Sequence, residues 1–186
     1  MATAGNDLKV VTGKVRLSFV HLFEPYSSDP EKTKKYSCTI LIPKSDKKTI
    51  KAIEDAQLAA LEAGKGKLGG KIPPNWSNTL HDGDEDRDTE QYPEYEGNMY
   101  MDVSANIGYP PVVVDRQVRP ILDPSEVYSG CYARVSMVAF VYNTAGKKGV
   151  SFGLRNVQKL EDGEALAGGR SDPEEDFDAL EGDDLI

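Results

Sequence analysis

The sequence predicts a mainly β fold, a small five-stranded antiparallel barrel with one helix and long loops, followed by a disordered acidic tail. Several segments alternate apolar and polar residues with the period of a β-strand. Only one segment repeats apolar residues with the period of a helix, and the residues after 160 are mostly polar and acidic. A length of 186 residues suits one domain with a core and leaves little room for a second beside the tail.

The first two strands are predicted at residues 9–23 and 35–42. Alternation in the first strand assigns one set of residues to the core side: Gly13, Val15, Leu17, Phe19, His21 and Phe23. Lys14 and Arg16 are therefore expected to face away from the core. Residues 24–34 carry two prolines and paired serines, a turn composition, so the two strands are expected to form an antiparallel pair.

The helix is predicted at residues 46–63, with Ser45 as its N-cap, because apolar residues recur there near helical spacing. A Gly/Lys segment at 64–70 ends the helix. Residues 71–96 then show no period and are expected to form a large loop. This loop surrounds Arg87 with eight acidic residues: Asp82, Asp84, Glu85, Asp86, Asp88, Glu90, Glu94 and Glu96.

The remaining strands are predicted at residues 98–109, 112–114, 131–143 and 150–158. In the first of these, Met99, Met101, Val103, Ala105 and Ile107 alternate with outward-facing Tyr100, Asp102, Ser104 and Asn106. Residues 143–146 contain a glycine and predict a turn that joins the last two strands as a hairpin. Five or so strands with a single helix favour a small closed barrel.

The net charge of −9 is distributed unevenly along the chain. Residues 161–186 hold eleven acidic residues against Arg170 alone, a net charge of −10. The body therefore keeps the other 20 acidic residues and 21 of the 22 basic ones, a net charge of +1. Because the acidic loop takes eight of those acids, a basic surface on the rest of the body is expected.

The compartment is expected to be the cytoplasm. The N-terminal residues show no basic segment followed by an apolar stretch, and no apolar run approaches the roughly 20 residues that a membrane helix needs. Cys38 and Cys131 each lie in an apolar strand-like run, which favours buried thiols over a disulfide or a zinc site. No metal or other cofactor is predicted.

Motifs for catalysis are incomplete. The segment 64–71 departs from the phosphate-loop pattern, since Gly70 stands where that pattern requires lysine. The acids after Asp82 depart from a calcium-binding loop at Arg87 and Pro93. No serine nucleophile motif accompanies the two histidines. The chain is therefore predicted not to be an enzyme, and a metal-dependent nuclease that uses the acidic loop is kept as an alternative.

Aromatic and cationic side chains on strands favour sequence-tolerant binding of single-stranded DNA, because aromatic rings stack on bases and cations neutralise phosphates. The outward face of the strand at 131–143 supplies both kinds of side chain. The predicted DNA-binding residues are Lys14, Arg16, Tyr36, Tyr100, Tyr132, Arg134, Tyr142, Lys147 and Lys148. The alternative for each tyrosine is a packing role with a solvated hydroxyl group.

The acidic tail suggests a regulatory element. A strip of carboxylates can occupy a basic groove when DNA is absent and leave it when salt or DNA competes. Its last residues are predicted to bind a partner protein: Asp183, Asp184, Leu185 and Ile186. The alternatives are a tail that only improves solubility, and a protein-interaction factor whose tail mimics DNA.

Several segments together resemble a family of tailed-phage proteins that was long classed as a domain of unknown function. They are residues 13–18 (GKVRLS), 35–44 (KYSCTILIPK), 81–84 (HDGD), 110–115 (PPVVVD) and 126–134 (EVYSGCYAR). The resemblance covers roughly residues 10–160. It implies an OB-fold-like barrel that binds single-stranded DNA in phage replication or recombination, inside the infected bacterial cell.

The resemblance and the charge pattern together predict two parts, an OB-fold DNA-binding domain at 1–160 and a disordered acidic tail at 161–186. The tail is also similar to the tails of other single-strand binders, whose ends recruit replication and repair enzymes. Those tails commonly end in Phe, whereas this chain ends in Leu185 and Ile186.

Overall fold

A computed structural model describes residues 7–166 and 179–180 of the chain. The strands are β1 (Lys9–Val11), β2 (Val15–Tyr26), β3 (Lys35–Pro43), β4 (His81–Asp82), β5 (Asn98–Asn106), β6 (Val112–Val114), β7 (Tyr132–Thr144) and β8 (Lys147–Glu161). The helices are α1 (Lys47–Ala63) and the one-turn α2 (Gly83–Asp86), with 3-10 turns at Lys65–Leu68, Pro93–Tyr95 and Pro124–Glu126. None of the helices in the described residues is long and apolar enough to cross a membrane.

Five of the strands close into a barrel in the order β2, β3, β5, β8, β7 and back to β2. Four of the five pairings are antiparallel, and the pairing of β5 with β8 is parallel, with Ser104 opposite Gly153. A ring with an odd number of strands cannot alternate direction throughout. The predicted five-stranded barrel is therefore confirmed, and one parallel seam is the geometric condition of its closure.

Alternating side chains of the barrel strands fill the core. On β7, Val135 and Met137 are fully buried, while Arg134 before them and Phe140 after them are exposed. Phe152 of β8 is also fully buried, and burial of a side chain of this size contributes about 1.5–3 kcal/mol. The outward-facing residues of the same strands remain available for contacts outside the core.

Helix α1 packs against β1, β7 and β8, and its N-cap is Asp46 instead of the predicted Ser45. The Asp46 carboxylate accepts a hydrogen bond from the Thr49 backbone N–H, the interaction that defines an N-cap. The Thr49 hydroxyl in turn accepts a hydrogen bond of 2.9 Å from the Gly13 N–H. A side chain at position 13 would meet the Asp46 carboxylate at 2.7 Å, so glycine is required for this approach. The contact separates β1 from β2, which the sequence predicted as one strand.

A β-bulge in β2 reverses the direction of its side chains after Ser18. Leu17 and Ser18 are both buried, and Phe19 adopts a φ of 46° that non-glycine residues rarely take. Phe19 is consequently 54% exposed, whereas Leu22 is buried in the core. The prediction that Phe19 and His21 face the core is wrong, because strict alternation fails where a bulge adds one residue.

Residues 71–97, which we call the excursion, fold back onto the outer face of the sheet. His81 and Asp82 pair with β5, and Tyr95 is buried against Leu41 and Tyr100. The Lys44 ammonium lies 2.7 Å from carboxylates of both Asp82 and Asp84. The hydrogen bonds with Lys44 lower the pKa of each of these carboxyl groups. The predicted large loop is thus fixed at its acidic end.

The end of β8 leads into a segment that lies on the barrel. The Leu166 N–H donates to the Ser129 carbonyl at 2.9 Å, and the Tyr128 hydroxyl donates to the Gly163 carbonyl at 2.9 Å. These contacts lie beyond the predicted domain boundary at 160, which stays a prediction. Residues 167–178 and 181–186, including the predicted partner-binding residues Asp183, Asp184, Leu185 and Ile186, lie outside the described residues.

The β7–β8 turn yields a prediction about stability. Ala145 and Gly146 occupy the two central positions with φ of 51° and 83°, the conformation of a hairpin turn that favours Asn-Gly. Ala145→Asn should raise the free energy of unfolding by about 0.5–1 kcal/mol, since asparagine tolerates a positive φ better than alanine. Chemical denaturation measures the change. Ala63→Asn at the exposed end of α1 is the control, and an equal gain there would contradict the interpretation.

The two cysteines yield a second prediction. Cys38 and Cys131 are both free and buried, as predicted. Burial raises the pKa of the Cys38 thiol to about 12, with smaller contributions from Asp102 and Cys131, and burial also raises the pKa of Cys131. Because the thiolate is the reactive form, neither residue should react with a thiol reagent at neutral pH until the protein unfolds. Rapid labelling of the native protein would contradict this.

Candidate nucleic-acid interface

A groove of about 940 Å³ lies on the outer face of the barrel, between the β2–β3 loop and the excursion. Its floor comes from β3, β5 and β8, and its walls come from the bulged part of β2, the β2–β3 loop and the excursion. The residues that carry polar or aromatic side chains into it include Phe19, His21, Tyr26, Lys32, Lys35, Ser37, Thr39, Arg87, Asp102, Ser104 and Ser151. We call this site the groove.

The aromatic wall of the groove depends on the bulge in β2. Phe19 and His21 reach the groove because the bulge turns them outward. His21 stacks on Tyr26, with ring centroids 4.2 Å apart and an interplanar angle of 11°. Tyr26 is 50% exposed, so one ring of this pair remains accessible at the groove. Burial lowers the pKa of His21, which favours a neutral imidazole at pH 7.

Small polar side chains form the floor. Ser37 and Thr39 of β3 lie beside Ser104 and Asp102 of β5, to which they are paired in register. The Thr39 hydroxyl donates a hydrogen bond to the Asp102 carboxylate. Ser151 of β8 continues the floor and lies opposite Phe140 of β7, which is 48% exposed. Short side chains leave room for a flat ring to approach the sheet.

Three cations line the groove, Lys32 and Lys35 from the β2–β3 side and Arg87 from the excursion. The Arg87 guanidinium lies 5.3 Å from the ring centroid of Tyr95 and 5.1 Å from that of Tyr100. Such cation–π contacts fix the position of a cation without neutralising its charge. The groove thus joins aromatic rings, positive charges and hydrogen-bonding groups on one surface.

A second, smaller site of about 360 Å³ is lined by Lys14, Arg16, Leu41, Pro43, Asn98 and Tyr132, and we call it the Tyr132 patch. The Lys14 ammonium lies 4.7 Å from the Tyr132 ring centroid, and the Arg16 guanidinium lies 5.6 Å from it. Lys14 also pairs with the Glu161 carboxylate, and Arg16 donates to the Glu164 carbonyl at 2.6 Å. The first residues after the barrel therefore already contact this patch.

The groove and the Tyr132 patch lie along the same outer face of β3. Ser37 and Thr39 belong to the groove, while Leu41 and Pro43 belong to the patch. At about 3.3 Å per residue, this stretch of β3 spans roughly 20 Å. Tyr95 covers the middle of the stretch, where it packs on Leu41 and Tyr100. The excursion therefore stands between the two sites.

The structure brings three of the predicted DNA-binding residues together, namely Lys14, Arg16 and Tyr132. Tyr100 faces outward as predicted but is only 8% exposed, because the excursion covers it. Tyr36 is partly buried and packs on the core cluster, while its neighbours Lys35 and Ser37 line the groove. The assignment of Tyr36 and Tyr100 as base-stacking residues therefore lacks an open ring face in this structure.

The other predicted residues lie elsewhere on the barrel. Arg134 is exposed on β7, and its Nε donates to the Thr12 carbonyl at 3.0 Å. Tyr142, Lys147 and Lys148 lie at the end of the β7–β8 hairpin, where Lys148 donates to the Leu68 carbonyl at 3.0 Å. None of these residues lines the groove or the Tyr132 patch.

The groove residues that sequence reasoning missed are Phe19, His21, Tyr26, Lys32, Lys35 and Arg87. Alternation predicts that Phe19 and His21 face the core. Arg87 lies among acidic residues, so the sequence does not indicate it as a DNA-binding cation. The composition of residues 24–34 did carry a signal, because it predicts the loop between the first two barrel strands, and such loops border ligands in OB-folds. Tyr26 is the last residue of β2, and Lys32 lies in this loop.

The acidic residues of the excursion are held by protein contacts. Asp82 and Asp84 bind Lys44, and Asp84 also accepts a hydrogen bond of 3.1 Å from the Gly97 N–H. Within residues 7–166 and 179–180, no three His, Cys, Asp or Glu side chains converge in a group that could hold a metal ion. The geometry of these acids is therefore that of a docked segment.

Comparisons with known proteins identify the fold and the family of this chain. In overall fold, the chain is similar to the single-stranded DNA-binding protein from bacteriophage Enc34 in complex with single-stranded DNA, with a TM-score of 0.72 and 24% identity over 90% of this chain and 96% of that one. The same Enc34 protein in a second structure gives a TM-score of 0.69 with 25% identity over 96% of this chain and 97% of that one.

More distant similarity extends to gp2.5, a single-stranded DNA-binding protein encoded by bacteriophage T7, with a TM-score of 0.61 and 16% identity over 91% of this chain and 94% of that one. At that identity the likeness concerns the fold alone. A protein designated p50 of Acyrthosiphon pisum secondary endosymbiont phage 1 is 34% identical over 179 residues, which are 93% of this chain and 94% of that protein.

A family model described as the single-stranded DNA-binding protein of Enterobacter phage Enc34 matches residues 8–186, nearly the whole chain. The family description names a DNA-binding protein and no catalytic activity, in line with the prediction that the chain is not an enzyme. The resemblance noted in the sequence is thereby confirmed. The chain belongs to the family of the Enterobacter phage Enc34 single-stranded DNA-binding protein.

Proposed function

We propose that this protein binds single-stranded DNA without sequence preference and holds it in the groove. The observation that carries the proposal is the combination of outward-turned aromatic rings, three cations and a polar floor in one open channel on the barrel. Sequence-tolerant binders need this combination, because every base offers a face for stacking and every phosphate offers a charge. Membership of the Enc34 family supports the same function.

The proposed mechanism is passive. Phe19 and the accessible ring of the His21–Tyr26 pair stack on bases, while Lys32, Lys35 and Arg87 neutralise phosphates. The short side chains of the floor accept a base without steric conflict. Beyond the excursion, Lys14 and Arg16 with Tyr132 extend the path of the strand to the second site. No bond of the DNA is made or broken.

The remaining predicted residues take different roles in this proposal. Lys147, Lys148 and Tyr142 lie on the hairpin between the last two barrel strands, an element that borders the ligand in OB-folds. We assign them, with Arg134, to contacts outside the groove. Tyr36 and Tyr100 support the groove from beneath, because Tyr36 packs on the core and Tyr100 carries Arg87.

We also propose that the residues after 160 act as an acidic regulatory tail. The chain passes directly over the Tyr132 patch, where Glu161 pairs with Lys14 and the Glu164 carbonyl accepts from Arg16. We propose that the acids of the tail compete with phosphates for the cations of this path. Asp183, Asp184, Leu185 and Ile186 are proposed to recruit replication or recombination proteins of the phage in the cytoplasm of the infected cell.

Phe19→Ala should weaken binding to a labelled oligo-dT in fluorescence anisotropy. Loss of one stacking platform costs about 1–3 kcal/mol, so the dissociation constant should rise roughly tenfold or more. Tyr109→Ala is the matched control, since Tyr109 is a 72% exposed aromatic residue that does not line the groove. Equal losses in the two variants, or none in Phe19→Ala with the fold intact, would count against the groove as the binding site.

Truncation after Leu166 should strengthen binding, because it removes the distal acids and keeps the contacts of residues 161–166 with the barrel. For the truncated chain, about four neutralised phosphates predict a slope near −3 for the logarithm of affinity against the logarithm of salt, and the full chain should give a shallower slope because salt also screens the competing tail. The advantage of the truncated chain should shrink as salt rises. A truncated chain that loses affinity for DNA would contradict the proposed regulatory tail, and a flat salt response would contradict the electrostatic mechanism.

A further inference from the structure

We infer that the excursion makes the proposed DNA-binding groove select single-stranded over duplex DNA. The inference rests on the proposed function, because it concerns the selectivity of the same groove. It follows from where the excursion lies, how it is fixed and how its charges are divided between the groove and the solvent.

The excursion is a wall beside the proposed DNA path. It pairs with β5 through His81 and Asp82 and covers Leu41 and Tyr100 with Tyr95. The ion pairs of Lys44 with Asp82 and Asp84 fix its first turn against the end of β3. A fixed wall at this place limits how wide a ligand can be and still reach the floor of the groove.

The excursion presents a cation to the groove and carboxylates to the solvent outside it. Arg87, its cation in the acidic stretch, is turned to the groove and held over the rings of Tyr95 and Tyr100. Two exposed carboxylates precede Arg87 in the sequence and two follow it, and none of the four lines the groove. They belong to Glu85, Asp86, Asp88 and Glu90. They are not inferred to bind any ligand. A strand in the groove lies near three cations, Lys32, Lys35 and Arg87, and two carboxylates, Glu31 and Asp102, whereas charge outside the groove on the side of the excursion meets these four carboxylates.

A duplex presents more charge and more width than a single strand. It carries one charge per ~1.7 Å of axis, against ~3.4 Å for each strand alone. When one strand follows the groove, the second strand lies outside it, within reach of the exposed carboxylates at a Debye length of about 8–10 Å. Repulsion therefore acts mainly on the duplex, while Arg87 offsets it for the strand inside the groove.

The test uses a variant of the full chain, which we call the wall variant, that removes the four exposed carboxylates around Arg87. Its combined substitutions are Glu85→Gln, Asp86→Asn, Asp88→Asn and Glu90→Gln. The matched control removes four exposed acids that do not line the groove, with Asp7→Asn, Glu54→Gln, Glu62→Gln and Glu126→Gln. Anisotropy gives dissociation constants for a labelled oligonucleotide alone and for the same oligonucleotide annealed to its complement. The quantity compared is the ratio of the duplex constant to the single-strand constant.

The wall variant should lower this ratio by roughly tenfold at low salt, because four like charges at about a Debye length act together. The effect should fade towards high salt. Arg87→Gln should weaken single-strand binding severalfold and reduce the steepness of its salt dependence by about 0.7.

An unchanged ratio in the wall variant, or an equal change in the control, would overturn the inference while leaving the proposed function intact. Failure of the unaltered protein to bind the single strand would overturn the proposed function and the inference with it.

Discussion

Closure of a ring of five strands is the constraint on which the rest of this structure depends. Because five is odd, one neighbouring pair must be parallel, and here it is β5 with β8. Of the other four pairings, two join strands linked by a single loop or turn, β2 with β3 and β7 with β8, and two join segments distant in the sequence, β3 with β5 and β2 with β7. Closure also makes the barrel narrow, so the interior holds only side chains such as Met137 and Phe152. Any ligand must therefore bind outside, on the faces and loops that the closed barrel holds in place.

The bulge in β2 is where the fold is adapted to carry a site. Strict alternation would have buried Phe19 and His21 in a core that is already filled, and would have left the groove without its aromatic wall. The extra residue costs a strained φ at Phe19, of the order of 1–2 kcal/mol for a side chain in the left-handed region. Strain of this kind persists where surrounding pairings determine the backbone, and here Leu17 and Leu22 are buried on either side of it.

Local patterns predicted the parts of the structure that depend on local chemistry. Periodicity predicted the strand β3, the outward and inward faces of β7 and the body of α1. Only the N-cap of α1 differs, because it is Asp46 in the structure and Ser45 in the prediction. The bulge, the break at Gly13 and the docking of the excursion depend on partners distant in the sequence. Predicted site residues came together at Lys14, Arg16 and Tyr132, where the start of β2 pairs with the start of β7. Tyr100 had the correct face, but a segment with no periodic signal covers it.

The difference between net charge and local charge explains how an acidic chain can present a binding surface for an anionic polymer. Net charge sums over the whole molecule, whereas binding responds to charges within about a Debye length of the ligand. The groove collects Lys32, Lys35 and Arg87, whereas 19 of the 31 acidic residues of the chain lie in the excursion or beyond residue 160. Acids placed next to a cationic path do not cancel it. They repel an anionic ligand that approaches the path. A ligand gains more attraction than repulsion only if it is narrow enough to contact the cations directly and charged enough to displace the competing carboxylates.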